Sequence, residues 1–204
     1  MSQFKNPFLR VDNLYFNYEE NIILDNLNLT VNRGEVLWIK GSNGVGKSTL
    51  LKILTGVIKI ESLQMKFYDE QFKSMNDYKK SIAYIPDYPM LYDFLNGYDN
   101  LKLIMNLWKI SNKTKYIDLA NHLANELQIK DYLSQQVGNY SLGMKHKLFF
   151  IAMFAREPKI LFMDEPFSAW DNKSYGIALE ILQRYKEKGN SIVYISHLEN
   201  IKMI

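Results

Sequence analysis

The chain has 204 residues, 47% of them apolar, a net charge of +3 and no cysteine. That suits one domain with an inserted subdomain, and it excludes disulfides and thiolate metal sites, in keeping with a reducing compartment. A charge this small argues against nucleic acid, whose readers carry a clustered basic face. The densest apolar run, Leu148 to Ala155, has 8 residues, whereas a spanning helix needs about 20. The N-terminal MSQFKNPFLR lacks the apolar stretch of a secretory signal, so none is expected.

Taken in order, residues 8–38 read as short strands. Leu9, Val11 and Leu14 open the run, and Leu27, Leu29 and Val31 alternate with polar residues as in half-buried strands. Asn32-Arg33-Gly34 is a turn, and Glu35 to Lys40 (EVLWIK) is a compact apolar strand. A glycine-rich loop, Gly41–Gly46, then leads into a helix expected from Lys47 to about Val57. Ser81 to Ile85 (SIAYI) is another apolar strand, closed by Pro86. From Asp93 to Leu133 the period becomes helical, with Leu101, Ile104, Met105 and Trp108 in one run and Ile117, Ala120, Leu123, Ala124 and Leu127 in the next. This predicts a helical insert. A helix is expected from near Ser141 to Arg156, buried strands at Lys159–Met163 and Ser191–Ile195, and a helix over Tyr175–Lys188 ended by Gly189. Strands alternating with helices point to a parallel sheet covered on both faces.

Two constellations carry chemistry. Gly41-Ser42-Asn43-Gly44-Val45-Gly46-Lys47-Ser48 matches G-x-x-x-x-G-K-[ST] in full, between a strand and a helix. Glycines let backbone N–H groups wrap phosphates, and the helix N-terminus favours negative charge. Lys47 would reach the β- and γ-phosphates, Ser48 would ligate Mg²⁺, and Thr49 completes the loop's contacts. By itself the motif specifies a P-loop NTPase and not which kind. The second constellation is Asp164-Glu165-Pro166, which ends the apolar run ILFM. A carboxylate at the end of a buried strand costs desolvation unless it meets a cation. Asp164 is therefore expected to face Mg²⁺, and Glu165 to act as general base on the attacking water.

With these residues in place the whole chain resembles the nucleotide-binding domain of ABC transporters. Tyr18 stands where that family has its adenine-stacking aromatic, with Tyr15 and Phe16 as competing candidates. Tyr140-Ser141-Leu142-Gly143-Met144 stands at the signature, usually Leu-Ser-Gly-Gly-Gln, and the string YSLGMKHKL resembles the variant YSLGMKQRL of many bacterial export ATPases. Ser168-Ala169-Trp170-Asp171 matches the D-loop, and His197 the switch histidine. The resemblance implies an α/β P-loop NTPase with a mostly parallel sheet, an N-terminal antiparallel β subdomain and an inserted α-helical subdomain. It divides the chain into a catalytic core at 1–87 and 140–204 and a helical subdomain at 88–139. It implies ATP and Mg²⁺ as cofactors. ATP would lie between two head-to-tail subunits, each giving Ser141 and Gly143 to the other's phosphates, so a homodimer or heterodimer is expected.

The sequence also departs from the pattern. Asp87 occupies the position where the family has a Mg²⁺-contacting Gln, Leu142 replaces a signature glycine, and Trp170 adds bulk to the D-loop. The sequence ends seven residues after His197, where relatives continue. A minimal version or a shortened one is expected, without a C-terminal regulatory domain. The expected function is an ATPase subunit on the inner face of a membrane, driving a permease by way of the aromatics Tyr88, Tyr92, Phe94 and Tyr98, and exporting a peptide, drug or other lipophilic cargo. The alternative is a soluble ABC-type ATPase acting on nucleic acid or the ribosome.

Overall fold

The computed structural model describes residues 7–60, 63–68 and 74–196. In chain order the elements are β1 (Pro7–Tyr18), β2 (Asn21–Asn32), β3 (Val36–Ile39), α1 (Lys47–Leu54), β4 (Met65–Phe67), α2 (Met75–Ser81) and β5 (Ile82–Ile85). These are followed by α3 (Gly97–Leu107), α4 (Lys113–Glu126), α5 (Leu142–Phe154), β6 (Ile160–Asp164), α6 (Asn172–Glu187) and β7 (Ser191–Ile195). β4 and α2 were not expected from the sequence. β4 has only three residues, and α2 is a seven-residue turn capped by Ser74, whose hydroxyl accepts from the Asp77 N–H at 3.2 Å.

The strands form two sheets. β2-β1-β4 is antiparallel, and β3-β7-β6-β5 is parallel throughout. Alternation along β6 shows why the parallel sheet is covered twice. Ile160 and Phe162 enter the core shared with α1 and the antiparallel sheet, while Leu161 and Met163 enter the core shared with α3 to α6. Each of these four side chains is fully buried. A strand buried on both faces reads as a continuous apolar run, which is how ILFM reads. Because all four strands are parallel, their C-terminal ends lie at one edge, and β3, β5 and β6 deliver Gly41, Asp87 and Asp164 there. Ligands of open parallel sheets bind beyond that edge.

α5 joins the parts. It packs on α3 and α4 and also on β5. Ser141 starts it, accepting from the Met144 N–H at 3.2 Å, and from His146 to Met153 every residue is buried. Trp170 turns inward against this helix, its ring 5.6 Å from Phe150 and 5.0 Å from Phe167. The bulk in the D-loop is thus absorbed within the subunit. Among the described residues no helix is long and apolar enough to cross a membrane.

Candidate nucleotide site

At the C-terminal edge of the parallel sheet lies a cleft of about 400 Å³. Asn43, Gly44, Gly46, Lys47, Ser48 and Thr49 line one side, and Asp87, Asp164 and Glu165 line the other, with Ile23 and Ile195 as apolar wall. The loop owes its shape to glycine at two positions. Gly46 has φ +98, and a Cβ there would stand 2.7 Å from Ile23 Cγ2 and 3.1 Å from the Ile23 carbonyl. Gly44 has φ +79 with open space around it, so backbone conformation alone favours glycine there. Gly46 supplies no side-chain cap to α1, which leaves the first-turn N–H groups directed at the cleft as an anion-seeking surface. Lys47 is buried, and its ammonium donates to the carbonyls of Gly41 and Ser42, each at 2.8 Å. Gly41 and Ser42 therefore brace the lysine while the residues after them face the cleft. Val45 is exposed and outside the lining.

Across from the loop, Asp164 is buried at the end of β6. Burial raises its pKa, and the nearby charge of Asp87 adds to this, while a hydrogen bond from the Ser48 hydroxyl and the charges of Lys52 and Lys47 oppose it. A buried carboxylate held unfavourably, with a serine hydroxyl on it and a second carboxylate close by, is the donor set of a hard divalent cation bound together with phosphate. Among the described residues no group of three or more His, Cys, Asp or Glu side chains could hold a metal ion. Magnesium bound with a nucleotide needs only one or two carboxylates from the protein, so the residues present fit Mg²⁺. Glu165 sits at φ +45, a left-handed conformation that costs a non-glycine residue energy and clusters at functional sites. Its N–H donates to the Ile195 carbonyl of β7 at 3.1 Å, which locks the turn to the sheet.

The other expected site residues lie elsewhere. Tyr18 is half-exposed at the end of β1 and stacks edge-on to Phe16 at 4.8 Å, outside the cleft lining, to which Ile23 of β2 contributes. Ser141 and Gly143 open α5 and do not line the cleft. A Cβ on Gly143 would stand 2.6 Å from the Ala169 carbonyl. The glycine is therefore needed within the subunit, where the D-loop backbone crosses the signature. His197 lies outside the described residues.

Two residues not singled out from the sequence belong to this region. Tyr84, on β5, has its hydroxyl buried without a hydrogen-bond partner; burial first, then the charges of Asp164 and Asp87, raise its pKa far above the ordinary range. His146, in the second turn of α5, is 5% exposed, and its Nε2 is buried without a partner. The string YSLGMKHKL held the signal for His146, since the variant it resembles has Gln there. Tyr84 had no signal beyond its place in an apolar strand.

A second concavity, of about 580 Å³, lies between the parallel sheet and α3. Its wall is almost wholly apolar, including Tyr88, Met90, Leu107 and Trp108. Tyr88 is 71% exposed and Met90 74%. Phe94 and Tyr92 are also exposed, but Tyr98 is half-buried and packs on the core, because it lies on the inner side of α3.

The comparisons agree with this geometry. The ABC transporter family profile matches residues 24–168. The chain is 33% identical over 190 residues to the lantibiotic transport ATP-binding protein SrtF of Streptococcus pyogenes, covering 93% of this chain and 80% of that protein. It is 29% identical over 199 residues to the manganese transport system ATP-binding protein MntB of Halalkalibacterium halodurans, covering 94% and 77%. A solved ATP-binding subunit of an ABC transporter superposes with a TM-score of 0.84 at 29% identity, over 94% of this chain and 80% of that one. The chain belongs to the ABC transporter family, as an ATP-binding and ATP-hydrolysing subunit.

Proposed function

We propose that this subunit hydrolyses Mg²⁺·ATP in the cleft and passes the result to a membrane permease seated in the apolar groove. One observation carries the reading. The segment after β5 has Asp87 in the cleft and, from Pro86 through Tyr92, forms a wall of the groove. The segment is pinned. The Asn100 side chain accepts from the Tyr92 N–H at 2.9 Å and donates to the Tyr92 carbonyl at 3.0 Å, and Lys145 of α5 pairs with Asp93 at 2.8 Å. A backbone movement at either end would therefore be carried to the other, whereas truncating an exposed groove side chain would leave the backbone in place.

In the cleft, the first-turn N–H groups of α1 and Lys47 hold the phosphates, and Ser48, Asp164 and Asp87 hold Mg²⁺. The ion, when bound, neutralises charge developing on the transferred phosphoryl group. Glu165 orients and deprotonates the attacking water, and His197 completes the γ-phosphate contacts. Tyr18, which stands outside the phosphate cleft at the end of β1, would stack on the adenine only where the nucleotide extends beyond that cleft. Ser141 and Gly143 do not line the cleft that holds their own Lys47, which supports a dimer in which each signature closes on the partner's nucleotide.

The exposed aromatic and methionine side chains of the groove match an interface core, where such residues are enriched. Such a subunit would act peripherally, on the inner face of the membrane. The similarity to a lantibiotic transport protein and the string YSLGMK support export of a peptide or other lipophilic cargo. The test is a pull-down of the tagged chain from detergent-solubilised native membranes. Co-purification of a polytopic permease is the expected result, and its identity separates peptide export from metal transport. Recovery without any membrane protein overturns the docking.

A further inference from the structure

A third concavity, of about 240 Å³, lies where the turn from α3 to α4 meets the end of α5. Arg156, 9% exposed, is part of its wall. The guanidinium lies 3.4 Å over the Trp108 ring, and its Nη2 donates to the carbonyls of Lys79 and Lys80 at 3.3 and 3.4 Å. Nη1 reaches the Met153 sulfur at 3.8 Å. These partners hold the group in place without neutralising it. Among the described residues no carboxylate forms an ion pair with Arg156. Buried charges are ordinarily paired, because their desolvation is not otherwise recovered. Burial lowers the pKa of Arg156 to about 10, so the group keeps its charge at neutral pH. The surroundings do not compensate it. Lys80 and Lys109 line the same hollow, are exposed, and make no ion pair among the described residues. Glu157, a carboxylate in the wall, is taken by Lys115 at 2.6 Å. Three cations are thus left facing one small space. The 14-residue α4 starts there too, with its cap Asn112 in the wall, so the positive end of that helix adds to the field.

We propose that this hollow binds a phosphate group, either free phosphate or the phosphate monoester of a lipid headgroup. A phosphate monoester carries about −1.5 to −2 charge and three strong acceptor oxygens, which suits three cations better than a single carboxylate does. At about 240 Å³ the space is smaller than the roughly 300–1,000 Å³ of pockets for drug-sized ligands, so it takes one such group and not a nucleotide. Lys80 and Lys109 bond the anion at the rim, and the Arg156 charge holds it from the wall. The buried Nε of Arg156 takes no part. The hollow shares no lining residue with the nucleotide cleft, and it shares Trp108 with the apolar groove.

The experiment is a calorimetric titration of inorganic phosphate into the purified full chain at constant ionic strength. The P-loop is first filled with a non-hydrolysable Mg²⁺·ATP analogue, so that the cleft cannot take up the titrant. The expected result is one saturable site beyond the cleft. Arg156→Gln and the double change Lys80→Ala/Lys109→Ala are each expected to weaken it about tenfold or more, the scale of losing a charged hydrogen bond. Affinity for the ATP analogue stays within about twofold in both variants. Lys80 and Lys109 are exposed, so the double variant decides the matter if Arg156→Gln fails to fold. Absence of binding once the P-loop is filled, or binding that the variants leave unchanged, overturns the site and leaves Arg156 as a clamp between Trp108 and two backbone carbonyls. Flotation with phosphatidylcholine vesicles, with and without phosphatidic acid, separates the two sources. Retention on phosphatidic acid that free phosphate displaces and the variants lose assigns the lipid headgroup. Saturable phosphate binding without retention assigns the free ion.

Discussion

The nucleotide cleft and the apolar groove are built on opposite principles although one segment lines both. The cleft is made of backbone. Glycines at φ +98 and +79, a helix without a side-chain cap and a strained Glu165 at φ +45 fix its shape. The groove is made of side chains. Its largest exposed groups, Tyr88 and Met90, extend from a loop that one buried amide, Asn100, holds in place. Backbone geometry tolerates little change because phosphate must be met by N–H groups at fixed positions. An apolar interface tolerates repacking, so it can follow a partner's surface while the chemistry stays constant.

Substitutions in the cleft should therefore act on chemistry and those in the groove on assembly. The largest effect is expected at Glu165. Glu165→Gln keeps shape and removes the base, so ATP still binds while turnover drops by about 10²–10⁴. Single-turnover kinetics with an equilibrium binding control checks this, and unchanged turnover removes Glu165 as the base. Lys47→Ala removes a buried cation from the phosphate site. Charged hydrogen bonds are worth about 1.5–3 kcal/mol each, and with two or more lost the affinity for ATP falls by about a hundredfold or beyond. Titration of a fluorescent analogue measures this.

In the groove the expectation reverses. Tyr88→Ala and Met90→Ser leave the cleft geometry alone, so ATP binding and turnover of the isolated subunit stay within about twofold. Recovery of the permease in a pull-down falls about tenfold, the usual scale for losing an aromatic anchor. Loss of ATP binding in these variants would mean that the two regions are not separable.

The same contrast explains what the sequence disclosed. Gly41 to Ser48 and Asp164-Glu165 were legible because phosphate chemistry demands those residue types at that spacing, and the structure brings Lys47, Ser48, Asp164 and Glu165 to one cleft. The parallel sheet was legible in the runs VLWI, IAYI, ILFM and SIVYI, since strands buried on both faces carry no polar alternation. β4 was missed because three residues, Met65 to Phe67, give no period to detect. The contribution of Tyr98 to a docking face was misread, because an aromatic on a helix has no visible orientation until its packing is known. Gly143 looked like a nucleotide contact from its motif. Its approach to Ala169 appears only once the D-loop is folded over it.

The smallest expected effect lies where α5 connects the two regions. Lys145 reaches Asp93 beside the groove at 2.8 Å, and two residues on Lys147 reaches Asp171 of the D-loop at 2.9 Å. Asp171 also caps α6, accepting from the Ser174 N–H at 2.9 Å and the Ser174 hydroxyl at 2.7 Å. The Ser174 backbone, then its hydroxyl, then Lys147 hold the carboxylate well below its ordinary pKa of 3.8. A carboxylate depressed in the folded state adds stability that is present above its unfolded pKa and lost as pH falls through the folded value. Asp171 is 59% exposed in this pair, so solvent screening keeps the ionic part small, about 0.5 kcal/mol. Asp171→Asn retains a capping oxygen but cannot ionise. Chemical denaturation across pH should show the wild type more stable by about that amount at pH 7, with the difference closing below about pH 4 as the wild-type carboxylate takes up its proton. A difference that stays constant down to pH 3 would mean that ionisation of Asp171 adds nothing to the cap or to the pair with Lys147, and Lys147, whose ammonium lies 5.9 Å from the Trp170 ring, would then hold the D-loop through that ring alone.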